Sequence, residues 1–195
     1  MCGVFYIGED AEQELWEMVA ALNRRRAEGG APFKSGGVIR PSDTVPVLAN
    51  NRALRPTPFA MKWGYTLPGK KGLLINARSE TAGEKPLFRD GMLQRRCLIP
   101  ATNYFEWEKT PEGKQKYALR PKGKSFFWLA GLYRPEMQGP AFTILTRAPA
   151  ESIAFIHDRM PVILPEEMKG DWLNPRNSPE AMLKSAVRDM EFSPC

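Results

Sequence analysis

The chain is 195 residues long, 43% hydrophobic and 26% charged, the make-up of a water-soluble globular protein that can bury a full core without disulfides or metals. Its 16 Gly and 18 Pro exclude a helical bundle or coiled coil and argue for short elements with many turns. The formal charge of +6 tilts the reading toward an anionic partner, nucleic acid or membrane phosphate, but is a weak signal on its own.

In chain order, Val4–Ile7 reads as a strand directly after Met-Cys-Gly. Asp10 then stands as N-cap of a helix in which Leu15, Trp16, Val19 and Leu22 recur at helical spacing. Arg24, Arg25 and Arg26 suit the negative end of that helix, and Gly29-Gly30 ends it. That is a plainer account of the arginine triplet than contact with DNA. After Pro41 the pattern turns to β, with short runs at 45–48, 59–63 and 73–76 between Pro and Gly breakers. Further strands are predicted at 96–100 and 104–108, and 115–120 pairs back as a hairpin through a turn at 110–114. Residues 125–133 and 141–146 read as central strands, 149–156 as a short helix, and 160–164 as another strand. Residues 166–173 and 179–188 read as closing helices. Many short strands around a few helices predict one α+β domain over residues 1–195, with a curved, barrel-like β core and flanking helices.

The cysteines are Cys2, Cys97 and Cys195, an odd number with no CxxC spacing. With a single histidine in the chain, a Cys/His zinc site is not expected. The N-terminus lacks the basic and apolar regions of a signal peptide, and the least polar run, 125–133, is far too short to span a bilayer. A cytoplasmic protein in a reducing compartment is expected, with no membrane, metal or organic cofactor.

Cys2 carries the most specific chemistry. Methionine aminopeptidase removes Met1 when the second side chain is small, and that would leave an N-terminal cysteine. Its α-amine has a reference pKa of about 7.7–8.0 and its thiol one of about 8.5. Such a 1,2-aminothiol condenses with an aldehyde to an imine, and the thiol closes onto the same carbon as a thiazolidine. The plain alternative is a cysteine that merely follows the start codon. Gly3 would let backbone or substrate approach closely. Asn76 and Arg78 stand at a predicted strand end. Glu106 lies among Tyr104, Phe105 and Trp107, and a carboxyl in apolar surroundings has a raised pKa that suits proton transfer. Alternation puts Phe105 and Trp107 on one face and Tyr104, Glu106 and Glu108 on the other. The plain alternative for Glu106 is an outward residue opposite a lysine. His157 is the sole histidine and titrates near neutral pH by type, with Asp158 beside it; a structural role is its alternative. Arg40-Pro41, Lys62-Trp63, Arg78, Arg147 and Arg159 offer guanidinium forks for phosphate and flat groups for bases. Their alternative is a core Trp63 and solvated arginines.

Six segments together resemble one family. They are Met1-Cys2-Gly3, Lys62-Trp63-Gly64, Ile75-Asn76-Ala77-Arg78-Ser79-Glu80-Thr81, Arg95-Arg96-Cys97-Leu98-Ile99-Pro100, Tyr104-Phe105-Glu106-Trp107 and Ile156-His157-Asp158-Arg159-Met160-Pro161-Val162. In this order they resemble the SRAP family (SOS response-associated peptidase), whose members shield abasic sites in single-stranded DNA. The resemblance implies a barrel-like α+β domain in which Cys2, freed of Met1, forms a thiazolidine with the ring-opened abasic sugar. It implies that Asn76 orients the cysteine amine, Glu106 handles protons around amine attack, and His157 assists sugar opening and crosslink reversal. It further implies backbone contacts from Arg78 and Arg159, and base packing or wedging by Trp63 and Pro41. The chain departs from the family pattern at Asn103, in the order Tyr104-Phe105, in Tyr65-Thr66 after Trp63-Gly64, and at Arg40.

The expected function is a DNA-damage protein that senses abasic sites in single-stranded DNA and crosslinks itself to them as a monomer, associated with the nucleoid when acting. One alternative is an N-terminal-cysteine hydrolase acting on itself or on other proteins, with its own amine as base. Another is a plain single-strand binding module whose affinity falls steeply with salt.

Overall fold

Proline and glycine divide the chain into strands too short to make a sheet from neighbours alone, so the pairing is largely long-range. The computed structural model describes residues 2–8, 13–30, 32–69 and 71–195. The described strands are β1 (Val4–Ile7), β2 (Gly37–Ile39), β3 (Thr44–Asn50), β4 (Pro56–Trp63), β5 (Tyr65–Thr66), β6 (Leu73–Leu74), β7 (Asn76–Arg78), β8 (Arg96–Ala101), β9 (Asn103–Thr110), β10 (Gly113–Pro121), β11 (Phe127–Arg134), β12 (Ala141–Arg147), β13 (Met160–Pro161), β14 (Ile163–Leu164) and β15 (Met190–Pro194). The α-helices are α1 (Gln13–Ala27), α2 (Ser79–Ala82), α3 (Pro86–Gln94), α4 (Lys169–Leu173) and α5 (Pro179–Lys184).

Strands β12, β4, β3, β8 and β11 hydrogen-bond in that order, and β11 pairs back onto β12 from Gly131↔Ile144 to Arg134↔Ala141. The sheet is therefore a closed ring, which leaves those strands no long free edge. The expected barrel-like α+β core is what forms. β12 serves several partners. Its first residues pair in parallel with β4, and its later ones in parallel with β7 and antiparallel with β13. Val45, Val47, Leu98, Leu129, Phe142 and Ile144, all 0% exposed, belong to the core.

Gly131 marks where the ring is tightest. A Cβ there would stand 2.5 Å from Ile99 Cδ1 and 2.9 Å from the Thr143 carbonyl oxygen, which is backbone and cannot swing away. Gly131→Ala is expected to cost about 1–3 kcal/mol by overpacking, read as a lower urea midpoint at unchanged slope.

The second sheet runs β15-β10-β9-β1-β2, so the N-terminal strand lies inside it, between β2 and β9. Thr102 ties the sheets together: its N–H donates to the Tyr6 carbonyl at 2.8 Å, and its Oγ1 accepts the Gly8 N–H at 3.1 Å. The rings of Phe5 and Trp63, with centroids 5.1 Å apart, bridge the two layers.

α1 buries Leu15, Met18, Val19 and Leu22. Trp16 is 45% exposed, so Met18, and not Trp16, completes the apolar face. Gly29 at φ 96° follows the helix, as its left-handed geometry favours glycine. Asp10 lies outside the described residues. Residues 149–156 form a single 3-10 turn, Glu151–Ile153, in place of a helix, and the last helix stops at Lys184. The run 160–164 is two short strands on different partners, β12 and β11.

Arg96 holds the far end of the barrel. It is 3% exposed, and among the described residues its hydrogen bonds all go to backbone carbonyls. Nε donates to Trp172 at 2.6 Å, Nη1 to Met92 at 2.8 Å, and Nη2 to Asn177 at 3.0 Å and to Asn174. Met92 and Trp172 lie in the last turns of α3 and α4, where carbonyls have no partner within the helix. Among the described residues no helix is long and apolar enough to cross a membrane.

Candidate functional site

The site grows from the central position of β1. Its pairing with β9 sets Phe5 opposite Tyr104 and Val4 opposite Phe105. Carried one residue further, the same register sets Gly3 opposite Glu106. Cys2 is 0% exposed in this chain, which still carries residue 1. Its carbonyl accepts a hydrogen bond from Asn76 Nδ2 at 2.8 Å. Asn76 is itself fixed on β7 by parallel pairing with β12 at Ile144, and its Oδ1 is buried without a hydrogen-bond partner among the described residues. Burial pushes the Cys2 thiol well up, and the Glu106 charge adds to that.

Glu106 is 4% exposed. The alternation of β9 turns it inward with Tyr104, while Phe105 lies under the Lys116 ammonium, 4.0 Å from its ring centroid. Its cross-strand neighbour is Tyr117, not a lysine. Burial raises the Glu106 carboxyl above the usual range, and the His157 charge opposes this more weakly. A raised carboxyl means that the folded state holds a proton which the unfolded chain releases near its ordinary value of about 4.5. Stability from this group is therefore full below that value and is lost as pH rises through the folded pKa. Glu106→Gln is expected to flatten the fall in thermal midpoint between acid and neutral pH, as measured by calorimetry across that range. A wild-type slope in the variant would contradict this.

His157 stands in the turn before β13, with its side chain 29% exposed. Its Nδ1 accepts the backbone N–H of Arg159 at 3.0 Å, which places the proton of the neutral ring on Nε2. Asp158 Oδ1 also lies 2.8 Å from Nδ1 and would favour a proton there. Asp158 is 82% exposed and screened by water, so the fixed backbone donor sets the neutral tautomer.

Cys2, Asn76, Glu106 and His157 thus converge from separate segments, and the expected DNA contacts divide. Trp63 is 0% exposed, stacked on Phe142 at 6.3 Å and 5°, with Nε1 donating to the Ile75 carbonyl at 3.0 Å. Trp63 is thus a core residue here, the alternative weighed against base packing. Its backbone supports the Arg40-Pro41 turn, in which Ser42 has φ 78° and donates its N–H to the Trp63 carbonyl at 2.9 Å. Pro41 is half-buried, whereas Arg40 and Arg78 are exposed. Arg147 reaches the carbonyls of Leu183 and Ala186 at 3.4 and 3.3 Å, so it ties the end of α5 to the end of β12. Arg159 gives its fork to Glu80, at 2.7 and 2.8 Å, and a further bond to the Thr146 carbonyl at 2.7 Å. The bonds from Arg159 pull the Glu80 carboxyl down to about 2. Tyr104 and Glu80 are the site's neighbours that residue patterns did not single out. Alternation with Glu106 signals Tyr104, but nothing local pairs Glu80 with a residue 79 positions away.

Among the described residues no group of three His, Cys, Asp or Glu could hold a metal ion. The family model for SOS response associated peptidase (SRAP) matches residues 1–194. The chain is 40% identical to the abasic site processing protein YobE of Bacillus subtilis over 202 residues, covering 96% of this chain and 88% of that one. It is 39% identical to YoqW of the same organism over 140 residues, spanning 66% of this chain and 62% of YoqW, less than two thirds of its length. YedK of Escherichia coli, also named an abasic site processing protein, is 35% identical over 179 residues, with 89% and 79% covered. A crystal structure of a phage-related protein from Bordetella bronchiseptica superposes with a TM-score of 0.76 at 21% identity, covering 100% of this chain and 94% of that one. That likeness reports the fold. With the family model matched over nearly its whole length, the chain belongs to the SRAP family.

Proposed function

We propose that this protein processes abasic sites in single-stranded DNA by capturing the opened sugar on Cys2 as a thiazolidine, after removal of Met1. The observation that carries this reading is that Asn76 bonds the Cys2 carbonyl, while buried Cys2 stands in electrostatic reach of buried Glu106, and Glu106 in turn of half-buried His157. The relatives' name, abasic site processing protein, supports the substrate.

An abasic sugar is mostly a closed hemiacetal, and its aldehyde appears only when the ring opens. His157, with Nε2 protonated, is placed in this reading as donor to the ring oxygen. The amine of Cys2 then attacks C1′, held by Asn76, whose unpartnered Oδ1 would accept from that amine. Glu106, its carboxyl raised by burial, takes and returns protons near neutral pH. Thiol closure traps the imine before elimination breaks the strand. Holding amine, thiol and aldehyde together supplies effective molarity for a reaction that needs no cofactor.

The hydrolase alternative needs a thiolate to attack an amide. Burial pushes the Cys2 thiol the wrong way for that, which favours amine-first capture. Exposed Arg40 and Arg78 would carry the DNA backbone, and Pro41 would stand beside the bases. The protein acts as a monomer on cytoplasmic DNA in this reading. The test is a denaturing gel of the protein with a single strand carrying one abasic site. A shifted band, with thiazolidine mass, is the expected result. Its absence with Met1 removed would overturn the reading.

A further inference from the structure

Two buried polar atoms near Cys2 have no hydrogen-bond partner among the described residues. One is Asn76 Oδ1, already used in the capture reading, and the other is the Tyr104 hydroxyl. Tyr104 is 0% exposed, so bulk solvent does not reach its ring. Native structures seldom bury a hydroxyl unsatisfied, and a phenylalanine would fill this site without that penalty. Tyr104 shares the inward face of β9 with Glu106 and stands opposite Phe5, three residues from Cys2. The charges of Cys2 and Glu106 are both felt at the phenol, although burial is the larger cause of its raised pKa. The ring is therefore a neutral donor throughout the working range, on the strand face of Glu106 and within electrostatic reach of Cys2.

We propose that the Tyr104 hydroxyl is a catalytic hydrogen-bond donor to the C1′ oxygen of the opened sugar. The inference rests on the abasic-capture reading. When the Cys2 amine forms the N–C1′ bond, the carbonyl π pair moves onto oxygen, and Tyr104 stabilises that oxygen without surrendering its proton. The nitrogen loses two protons in turn through Glu106, and both return to the oxygen: the first makes it a hydroxyl and the second releases it as water, leaving C=N. The thiol then adds across the imine: sulfur bonds to C1′, and the thiol proton goes to nitrogen. Atoms balance with one water lost, and nothing is oxidised or reduced. A fixed donor in a dry site is worth most where charge develops.

Tyr104→Phe deletes only the hydroxyl. Capture of a single strand bearing one abasic site is expected to slow roughly 100-fold. Affinity for the same strand without the lesion should be unchanged, and the thermal midpoint equal or higher, since an unpartnered hydroxyl has gone. Wild-type capture rates in folded Tyr104→Phe would overturn the proposal. A loss of strand affinity as large as the loss of rate would overturn it too, by making Tyr104 a binding group. Wild-type and Cys2→Ala proteins run beside it: no Cys2-dependent product from the wild type would sink the capture reading and this inference together. A wild-type product with an unslowed variant would sink only the role of Tyr104.

Discussion

Cys2→Ala protein mixed with abasic single-stranded DNA should leave no product that survives denaturation, while the wild-type chain shifts the strand by one protein mass. The loss should be complete, because alanine keeps the amine but removes the sulfur that traps the imine. The imine alone hydrolyses in denaturant. Reduction with borohydride during the reaction should therefore recover a band from Cys2→Ala, since the amine still condenses. That pair of results separates the two bonds of the crosslink. The fold should not be at issue, because Asn76 holds the backbone carbonyl of residue 2 and not its side chain. A full-strength band from Cys2→Ala without reduction would remove the proposed chemistry.

Arg96→Ala should be the most damaging change away from the site. The guanidinium is buried, has no carboxylate partner among the described residues, and satisfies carbonyls at Met92, Trp172, Asn174 and Asn177. It also lies over the Trp172 ring, 5.4 Å from the centroid. Burial lowers its pKa, yet arginine keeps its charge, so the carbonyl dipoles must carry the counter-charge. Removing it strands several buried acceptors at once, at a cost of about 3–5 kcal/mol. For a chain of this size that is a fall in Tm of roughly 6–20 °C. Lysine cannot restore it, since three donors on a point charge do not match the fork. Arg96→Lys at wild-type Tm would show that charge alone suffices.

How much of this was legible beforehand depends on distance along the chain. Local alternation put Tyr104 and Glu106 on one face, and the structure agrees. The strands between breakers lie near their expected positions because each needs only its own residues. Closure of the ring was not readable: the parallel pairs of β12 with β4 and β7 join residues some 65–80 positions apart. Trp63 shows the same limit. Its burial depends on Phe5 and Phe142, which a local reading cannot place beside it. Arg159 pairs with Glu80, 79 positions away, which a local reading of the arginine cannot show. Helix α3 went unread because its span holds Gly91, a weak helix former. There a Cβ would stand 3.1 Å from Leu132 Cβ, so glycine allows the close packing on β11.

The position of β1 inside its sheet also orders events during synthesis. β1 leaves the ribosome first, but its partner β9 begins about 100 residues later, with Val4 waiting for Phe105. At roughly 5–20 residues per second, the first strand has β2 beside it early but waits about 5–20 s for β9. In that interval the Met1–Cys2 bond is open to an aminopeptidase. Once β9 docks, Cys2 is enclosed. In the capture reading, removal of residue 1 would therefore be co-translational, and a chain that folds before losing it would stay in the unprocessed form.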